Sequence, residues 1–571
     1  MADQYGFAFF STPEAPLVFT EPVAVEQAMR VEDVLPALER VGAAVESGLW
    51  AAGFLAYEAA PAFDTALRAH APQAGLPLLW FGLHDGPARG LQIEERPWHA
   101  GPWEARVSEA AYRDAVARIR EHIAAGDTYQ VNYAFPMRAP FSGDAFAWFL
   151  HLRRAQQTPY GAFLHAGRHR ILSLSPELFF DISGERLTTR PMKGTRPRGR
   201  WPQEDRDLAA EMRASAKEQA ENVMIVDLLR NDMGRISLPG SVRVERLFEA
   251  ERYETVWQMT STVTSRTVAP MPRILEALFP CGSVTGAPKV YTSGIIRAVE
   301  PHPRGVYCGA VGWWAPGRRA CFNVAIRTVT VDTESGRASY YVGSGVTWDS
   351  EAENEYAECL AKAAVLRQAR PDFELLETLR WDGGFALLEE HIERLAASAG
   401  YFDFVVDRGR VVAALESAVR DARNPVCVRL LLSRGGEPRV ETRALDAPRA
   451  FRVALASAPV CSRDVFLFHK TTHRAVYEAA RAARPDCDDV LLWNERGELT
   501  ESTIANVVVE RDGELITPPV PCGLLPGTMR ARLLAESRIR EARVLKEELR
   551  RAGRIRLINS LRGWIDATLI D

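Results

Sequence analysis

The chain has 571 residues, a formal net charge of −4, and is 47% hydrophobic and 25% charged. That length exceeds one ordinary core, so two or more domains are expected, and the weakly acidic balance gives no basic footprint for nucleic acid. The opening MADQYGFAFFSTPE lacks the basic and apolar halves of a signal peptide, no apolar run reaches bilayer length, and the eight cysteines form no CxxC pair. Together these predict a cytoplasmic protein without membrane association, zinc site or disulfide framework.

Up to about residue 365 the pattern mixes strands and helices, an α/β (α+β) reading. GERLTTRPMKGT (184–195) and YYVGSGVTW (340–348) show β-branched or aromatic alternation broken by glycine, and are predicted as strands. DLAAEMRASAKEQAENVMIVDLLRND (207–232) repeats apolar residues at three- and four-residue steps, which predicts one long helix. EAENEYAECLAKAAVLRQA (351–369) predicts a helix stopped by Pro371. From 371 a second unit begins. FELLETLRWDGGFALLEEHIERLAASAG (373–400) predicts strand, Gly-Gly turn, strand and an amphipathic helix ending at Gly400. The expected domains are therefore 1–366 and 371–571.

Lysine is scarce. Only Lys193, Lys217, Lys289, Lys362, Lys470 and Lys546 occur among 70 basic residues, leaving 64 arginines. Arginine supplies positive charge everywhere else, so a retained lysine suggests chemistry that a guanidinium cannot do: an amine can lose its proton and attack carbon. Lys193 stands out in RPMKGTRPRG, where every other basic residue is arginine.

Glu355, Glu358 and Lys362 recur at i, i+3 and i+7, which places them on one helix face. Glu221 lies mid-helix before an apolar run, where a carboxylate needs a partner. Carboxylates converging from two helices suit Mg²⁺, a hard ion that takes oxygen ligands and keeps water or substrate oxygens. Solvated helix faces with ordinary ion pairs are the alternative reading.

PMKGTRPRG, AENVMIVDLLRNDMGRIS, CGSVTGAPK, GVYCGAVGWW, NVAIRT and VGSGVTWDSEAENEYAECLAKA follow one another in a fixed order. Over roughly residues 110–366 they resemble the chorismate-utilising family, which includes anthranilate, aminodeoxychorismate, isochorismate and salicylate synthases; residues 1–100 match only loosely. The resemblance implies a large αβ sandwich around a Mg²⁺-dependent chorismate site. By position it implies Glu221 and Glu358 as metal ligands with Glu355 beside them, and Ser283, Thr285, Tyr307, Arg327, Lys362 and the Gly343–Gly345 backbone around substrate. Water-adding members place a lysine base where this chain has Gln130, and an amide cannot deprotonate water. Anthranilate synthases resemble PIAGT where this chain reads MKGT. The lysine form implies amine attack at ring C2, Mg²⁺-assisted loss of the C4 hydroxyl, then ammonia addition at C4 with release of Lys193. Gln258 stands where many members carry a histidine near the leaving group. No GxCxGxQ glutaminase signature is present, so the resemblance implies ammonia from a separate glutamine amidotransferase subunit.

In the second unit Lys470 sits in FLFHKTTHRAVYEAA, Glu501 in GELTESTIANVVV, Gly527 and Thr528 in GLLPGTMRARLL, and Arg394 in EEHIERL. A lone lysine is ordinarily a surface residue. A lysine with an acid, an arginine and a Gly-Thr helix start suggests pyridoxal phosphate. In this order over 371–571 the motifs resemble the class IV aminotransferase fold, which includes aminodeoxychorismate lyase. The resemblance implies Lys470 as cofactor-bearing lysine, Glu501 as partner of the pyridinium nitrogen, and Arg394 with Gly527 and Thr528 as phosphate ligands. Ser502, Thr503 and Asn506 would surround the cofactor, and the resemblance allows a homodimer through this unit. The two halves combined imply synthesis of 4-aminobenzoate from chorismate. An anthranilate synthase half fused to an amino-acid transaminase, or an inactive ligand-binding protein, are the rival readings.

Overall fold

The computed structural model describes residues 5–88, 96–156, 158–366, 371–551 and 553–570. The chain divides into two compact units: one of Met1–Pro197 with Ala209–Arg370, the other of Arg198–Leu208 with Pro371–Asp571. The expected boundary at 366–371 falls partly on residues 367–370, outside the described residues. The expectation of an unbroken first domain 1–366 is corrected at one point: eleven residues following Pro197 belong to the second unit.

The first unit is built on two ten-stranded sheets. One is anchored by the long strand Gln130–Gly143, whose antiparallel partner Arg337–Val346 runs in unbroken register from Arg337↔Pro140 to Val346↔Val131. The other contains Met192–Pro197 at its edge, paired with Val256–Arg266. Two large apolar clusters form the core; aromatic residues such as Trp80, Phe54 and Phe322 fill one, and Trp148, Phe135 and Tyr340 the other. Burial of such side chains is the dominant favourable term in folding.

The single helix expected over 207–232 is two: Pro202–Ala214 and Ala216–Gly234. The break falls at Ser215, whose hydroxyl accepts the Glu218 amide, so a side chain that competes for backbone donors restarts the helix. The helix expected over 351–369 runs from Ala352 to Lys362 and tightens into a 3₁₀ turn at Ala364–Leu366.

The second unit contains a three-stranded antiparallel sheet, Leu375–Trp381, Val426–Leu432 and Pro438–Ala444, and an eight-stranded mixed sheet. In the latter Phe451–Leu455 lies parallel to both neighbours, Asp489–Trp493 and Gly563–Leu569. The expected second strand after Gly383–Gly384 reduces to one bridge, Trp381↔Phe385. The following helix, Leu388–Phe402, passes Gly400 and ends where Asp403 turns left-handed at φ 60°. Among the described residues no helix is long and apolar enough to cross a membrane.

Candidate active sites

The first unit encloses a cavity of about 350 Å³. Lys193 enters it from the edge strand Met192–Pro197. Its ladder partners step from Thr260 opposite Met192 to Gln258 opposite Thr195, so the strand carries one extra residue there. Such a bulge turns a side chain out of the ladder. Gly194 completes it at φ +97°, a conformation that L side chains rarely adopt. Asn222 holds the bulge from the neighbouring helix by donating to the carbonyls of Lys193 and Met259, each at 3.5 Å. Burial lowers the Lys193 pKa, opposed by Glu221 and Glu177.

Glu221, Ser283, Tyr307, Arg327, Gly343, Gly345, Glu355, Glu358 and Lys362 line the same cavity. Glu221 comes from the helix Ala216–Gly234, and burial raises its pKa against the pull of Lys193. Glu358 pairs with Lys362 at 2.8 Å, and the Lys362 amine also donates to the Gly343 carbonyl at 2.9 Å. Glu355 accepts the Ser350 hydroxyl at 2.8 Å. Arg327 holds φ +49°, a strained backbone of the kind that clusters at functional sites.

Two expected residues stand outside the lining. Thr285 is fully buried, and its hydroxyl donates to the Cys281 carbonyl at 2.9 Å, which occupies it in the loop itself. Gln130 is buried behind the strand end: a Cβ on Gly345 would lie 2.1 Å from its Nε2 and 3.1 Å from the Lys193 amine. Glycine at 345 therefore lets both groups press against the backbone. Gln258 reaches the cavity, with its amide donating to Thr195 Oγ1 at 3.0 Å.

Glu177 was not foreseen. It is buried, lines the cavity and accepts the Ser283 hydroxyl at 2.6 Å. Burial pushes its carboxyl up to about 7, opposed by that hydrogen bond and by Lys193. The signal was present: a lone acid inside the apolar run ILSLSPELFF.

The donor chemistry of Glu221, Glu355 and Glu358 fits a hard oxygen-loving ion. Among the described residues, however, no group of three or more His, Cys, Asp or Glu is placed to hold a metal unaided. These carboxylates fit Mg²⁺ as an ion completed by water and substrate oxygens rather than as a closed protein cage.

The second unit encloses a cavity of about 480 Å³ lined by Arg394, Lys470, Glu501, Ser502, Thr503, Asn506, Gly527 and Thr528. Burial, reinforced by Arg394, lowers the Lys470 pKa to about 8. Glu501 is pushed up to about 7 by burial, while the Tyr477 hydroxyl donates to it at 2.8 Å and the Asn506 amide at 3.3 Å. Gly527 is the N-cap of the helix Thr528–Ala535, and this helix start lines the cavity.

Arg394 is held by an acid that sequence reasoning missed. Its guanidinium donates to both Glu377 oxygens, at 2.9 and 2.6 Å, and His391 Nδ1 lies 2.6 Å from Glu377 Oε2. Burial alone would raise the Glu377 carboxyl; Arg394 and His391 outweigh it and hold it at about 2. His391 Nε2 in turn meets the Ser560 hydroxyl at 2.9 Å. A half-buried amine, a buried acid lining the same cavity, and an arginine with a helix start there fit the amine-reactive aldehyde, ring nitrogen and phosphate of pyridoxal phosphate.

Residues 88–368 match the family described as chorismate binding enzyme, and residues 374–570 match amino-transferase class IV. Over 269 residues the chain is 39% identical to aminodeoxychorismate synthase component 1 of Escherichia coli, covering 47% of this chain and 59% of that protein. It is 40% identical over 271 residues to anthranilate synthase component 1 of Streptomyces coelicolor, covering 47% and 52%. The chain thus spans somewhat more than half the length of these two relatives, and only 37% of the longer aminodeoxychorismate synthases of Streptomyces pristinaespiralis and Streptomyces griseus. The fold of the first unit resembles the crystal structure of anthranilate synthase component I from Streptococcus pneumoniae, with TM-score 0.52, 24% identity, and coverage of 63% of this chain and 90% of that one.

Proposed function

From a chain that joins a chorismate binding enzyme region to a class IV amino-transferase region, we propose a bifunctional enzyme that makes 4-aminobenzoate from chorismate and ammonia. Overall identity does not choose between the two kinds of relative, since one matches at 39% and the other at 40%. The observation that carries the choice is Lys193: a half-buried lysine of lowered pKa, turned into the first cavity by a bulge and faced by carboxylates.

In the first unit the Lys193 amine attacks ring C2. The C2–N bond forms, the ring double bonds shift, and the C4–O bond breaks. Glu177, carrying a proton near neutral pH, gives it to the departing hydroxyl, which leaves as water. Ammonia then bonds to C4 and the C2–N bond to Lys193 breaks, so two allylic displacements replace one difficult substitution. Arg327 and Lys362 pair the substrate carboxylates. Mg²⁺ held by Glu221, Glu358 and Glu355 would supply positive charge for the leaving oxygen. Gln130 has no basic site for water, which favours ammonia over hydroxide as nucleophile.

In the second unit Lys470 would carry pyridoxal phosphate, Glu501 would face its ring nitrogen, and Arg394, Gly527 and Thr528 would hold its phosphate. The cofactor, when bound, supplies an electron sink for removing a proton beside the new amine. Lys470 moves that proton, pyruvate leaves, and the ring becomes aromatic. The cavity residues orient the substrate and exclude water.

The chain takes its ammonia from a separate glutamine amidotransferase. Purified chain given chorismate, Mg²⁺ and pyridoxal phosphate should yield 4-aminobenzoate and pyruvate with ammonium and nothing with glutamine, read by mass spectrometry. Anthranilate as product would replace the proposal with its rival, and glutamine-supported turnover would place an amidotransferase site within the chain.

A further inference from the structure

Lys470 lies on irregular chain between the 3₁₀ turn Val465–Leu467 and the helix Ala475–Ala483. Its own backbone is tied on one side, where its carbonyl accepts the Leu376 amide at 2.9 Å. A reactive group on a loop needs packing from its surroundings to keep its geometry. Part of that packing comes from Leu467, Tyr477 and Val490 around Phe468 and from Phe402 beside His469. Another part comes from residues Arg198–Leu208, which belong to this unit although they lie between Lys193 and Glu221 in sequence.

The contacts are specific. Trp201 stacks on Phe468, with ring centroids 5.2 Å apart. Arg200 donates to the Ser462 carbonyl at 3.2 Å. Arg198, its side chain only 5% exposed, pairs with Asp205 through two bonds of 2.8 Å and lies 4.3 Å over the Tyr401 ring. The Tyr401 hydroxyl donates to the Gly199 carbonyl at 2.7 Å. The other side of the Tyr401 ring environment is His469, 4.4 Å away, which the Ser398 hydroxyl meets at 3.0 Å. Thus Phe468 and His469, the two residues before Lys470, are braced by this segment, one directly and one through Tyr401. Asp205 also accepts the Gly199 amide at 2.8 Å, so the segment is closed on itself as a rigid piece rather than draped as a linker.

We propose that Arg198–Leu208 is a positioning strut of the second unit, which fixes the Phe468–His469–Lys470 segment and so holds the Lys470 amine in its cavity. The pyridoxal phosphate half is then not the linear stretch 371–571 but that stretch plus a strut lent by the chorismate-binding part of the sequence. The inference rests on the reading of Lys470 as the cofactor-bearing lysine. Burial, the main cause of that amine's lowered pKa, is what the strut would maintain.

The test uses the full chain with Trp201→Ala, Arg198→Ala and, as conservative control, Trp201→Phe. Two quantities are read: the dissociation constant of pyridoxal phosphate from its lysine-bound absorbance, and, in cofactor-free protein, the pH at which Lys470 becomes reactive to reductive methylation, followed by peptide mass. The alanine variants should bind the cofactor at least about tenfold more weakly and shift the reactivity midpoint upward, toward that of an exposed lysine. Trp201→Phe should stay near the parent. Parent-like values in both alanine variants would overturn the strut. Should Trp201→Ala fail to accumulate, Tyr401→Phe removes only the hydroxyl bond to Gly199: an upward shift in the midpoint supports the strut, and an unshifted one overturns it. Borohydride fixation in the parent separates this from the underlying reading, because a cofactor fixed anywhere but Lys470 defeats that reading itself.

Discussion

Two half-buried lysines reach the two cavities of this protein, and the strongest charged neighbour of each differs in sign. Lys193 faces acids: Glu221, Glu177 and Glu358 each act to raise the pKa that burial lowers. At Lys470 burial is the main cause and Arg394 the strongest charge, lowering the pKa to about 8 with help from Arg474, while Glu377 and Glu501 oppose it. An amine that must be discharged and then regenerated in one reaction benefits from neighbouring acids that take and return protons. An amine that must stay neutral enough to hold a carbonyl cofactor, beside a phosphate, benefits from a fixed cation. The same residue type is therefore tuned by neighbours, and the tuning matches the two proposed chemistries.

Breaking the comparison at Lys470 gives the largest expected effect. Lys470→Ala should abolish the lysine-bound cofactor absorbance and cut 4-aminobenzoate release by about 10⁴-fold or more, since one group is both anchor and proton carrier. Chorismate should still be consumed to a non-aromatic amino compound, visible by mass spectrometry. Parent-rate pyruvate release by this variant would end the lysine's assignment.

Lys193→Ala should do the reverse. Chorismate amination should fall by about 10³-fold, while supplied 4-amino-4-deoxychorismate is still processed and the cofactor absorbance is intact. Intact-mass analysis of the parent with chorismate and no ammonia should show an adduct that maps to Lys193; its absence together with a fast alanine variant would remove the covalent route.

Glu177→Gln sharpens the acidic side of the comparison, with an expected loss of about 10²- to 10³-fold in amination. If Glu177 is the proposed proton donor, its pKa of about 7 means that the protonated fraction, and with it the proposed C4–O cleavage step, should decline as pH rises above that value. The glutamine variant should lose that limb of the profile. A profile unchanged by the substitution would assign the proton donor elsewhere.

The smallest expected effect is on stability. Glu377→Gln leaves Arg394 and His391 facing a neutral amide, and removing one partner of a buried pair costs about 3 kcal/mol or more, measured by denaturant unfolding of the second unit. Because the folded carboxyl sits at about 2, below its ordinary value of 4.5, its contribution is complete above 4.5 and is lost as pH falls toward 2. The parent should therefore lose stability over that acid window more steeply than the glutamine variant.

Much of this was legible in the sequence. The scarcity of lysine singled out Lys193, and spacing put Glu355, Glu358 and Lys362 on one face, where they line one cavity. The helix start at Thr528 followed from Gly527. Where reading failed, a local competitor or a distant neighbour decided. Ser215 split a helix whose apolar period ran straight through it. Thr285 spent its hydroxyl on Cys281. Glu177 and Glu377 gained their importance from burial beside Ser283 and Arg394, residues 106 and 17 positions away.

The sequence by itself determined which chemical groups the protein owns: two rare lysines in distinct motifs, carboxylates at helical spacing, and a Gly-Thr helix start. Those depend on residue type and short-range period, both of which are printed along the chain. Only the tertiary structure decided which acids face which lysine, that Gly345 brings Gln130 and Lys193 to one strand end, and that residues 198–208 belong to the second unit. Such pairings join residues far apart in sequence, and the desolvation that sets their charge exists only once the chain has closed around them.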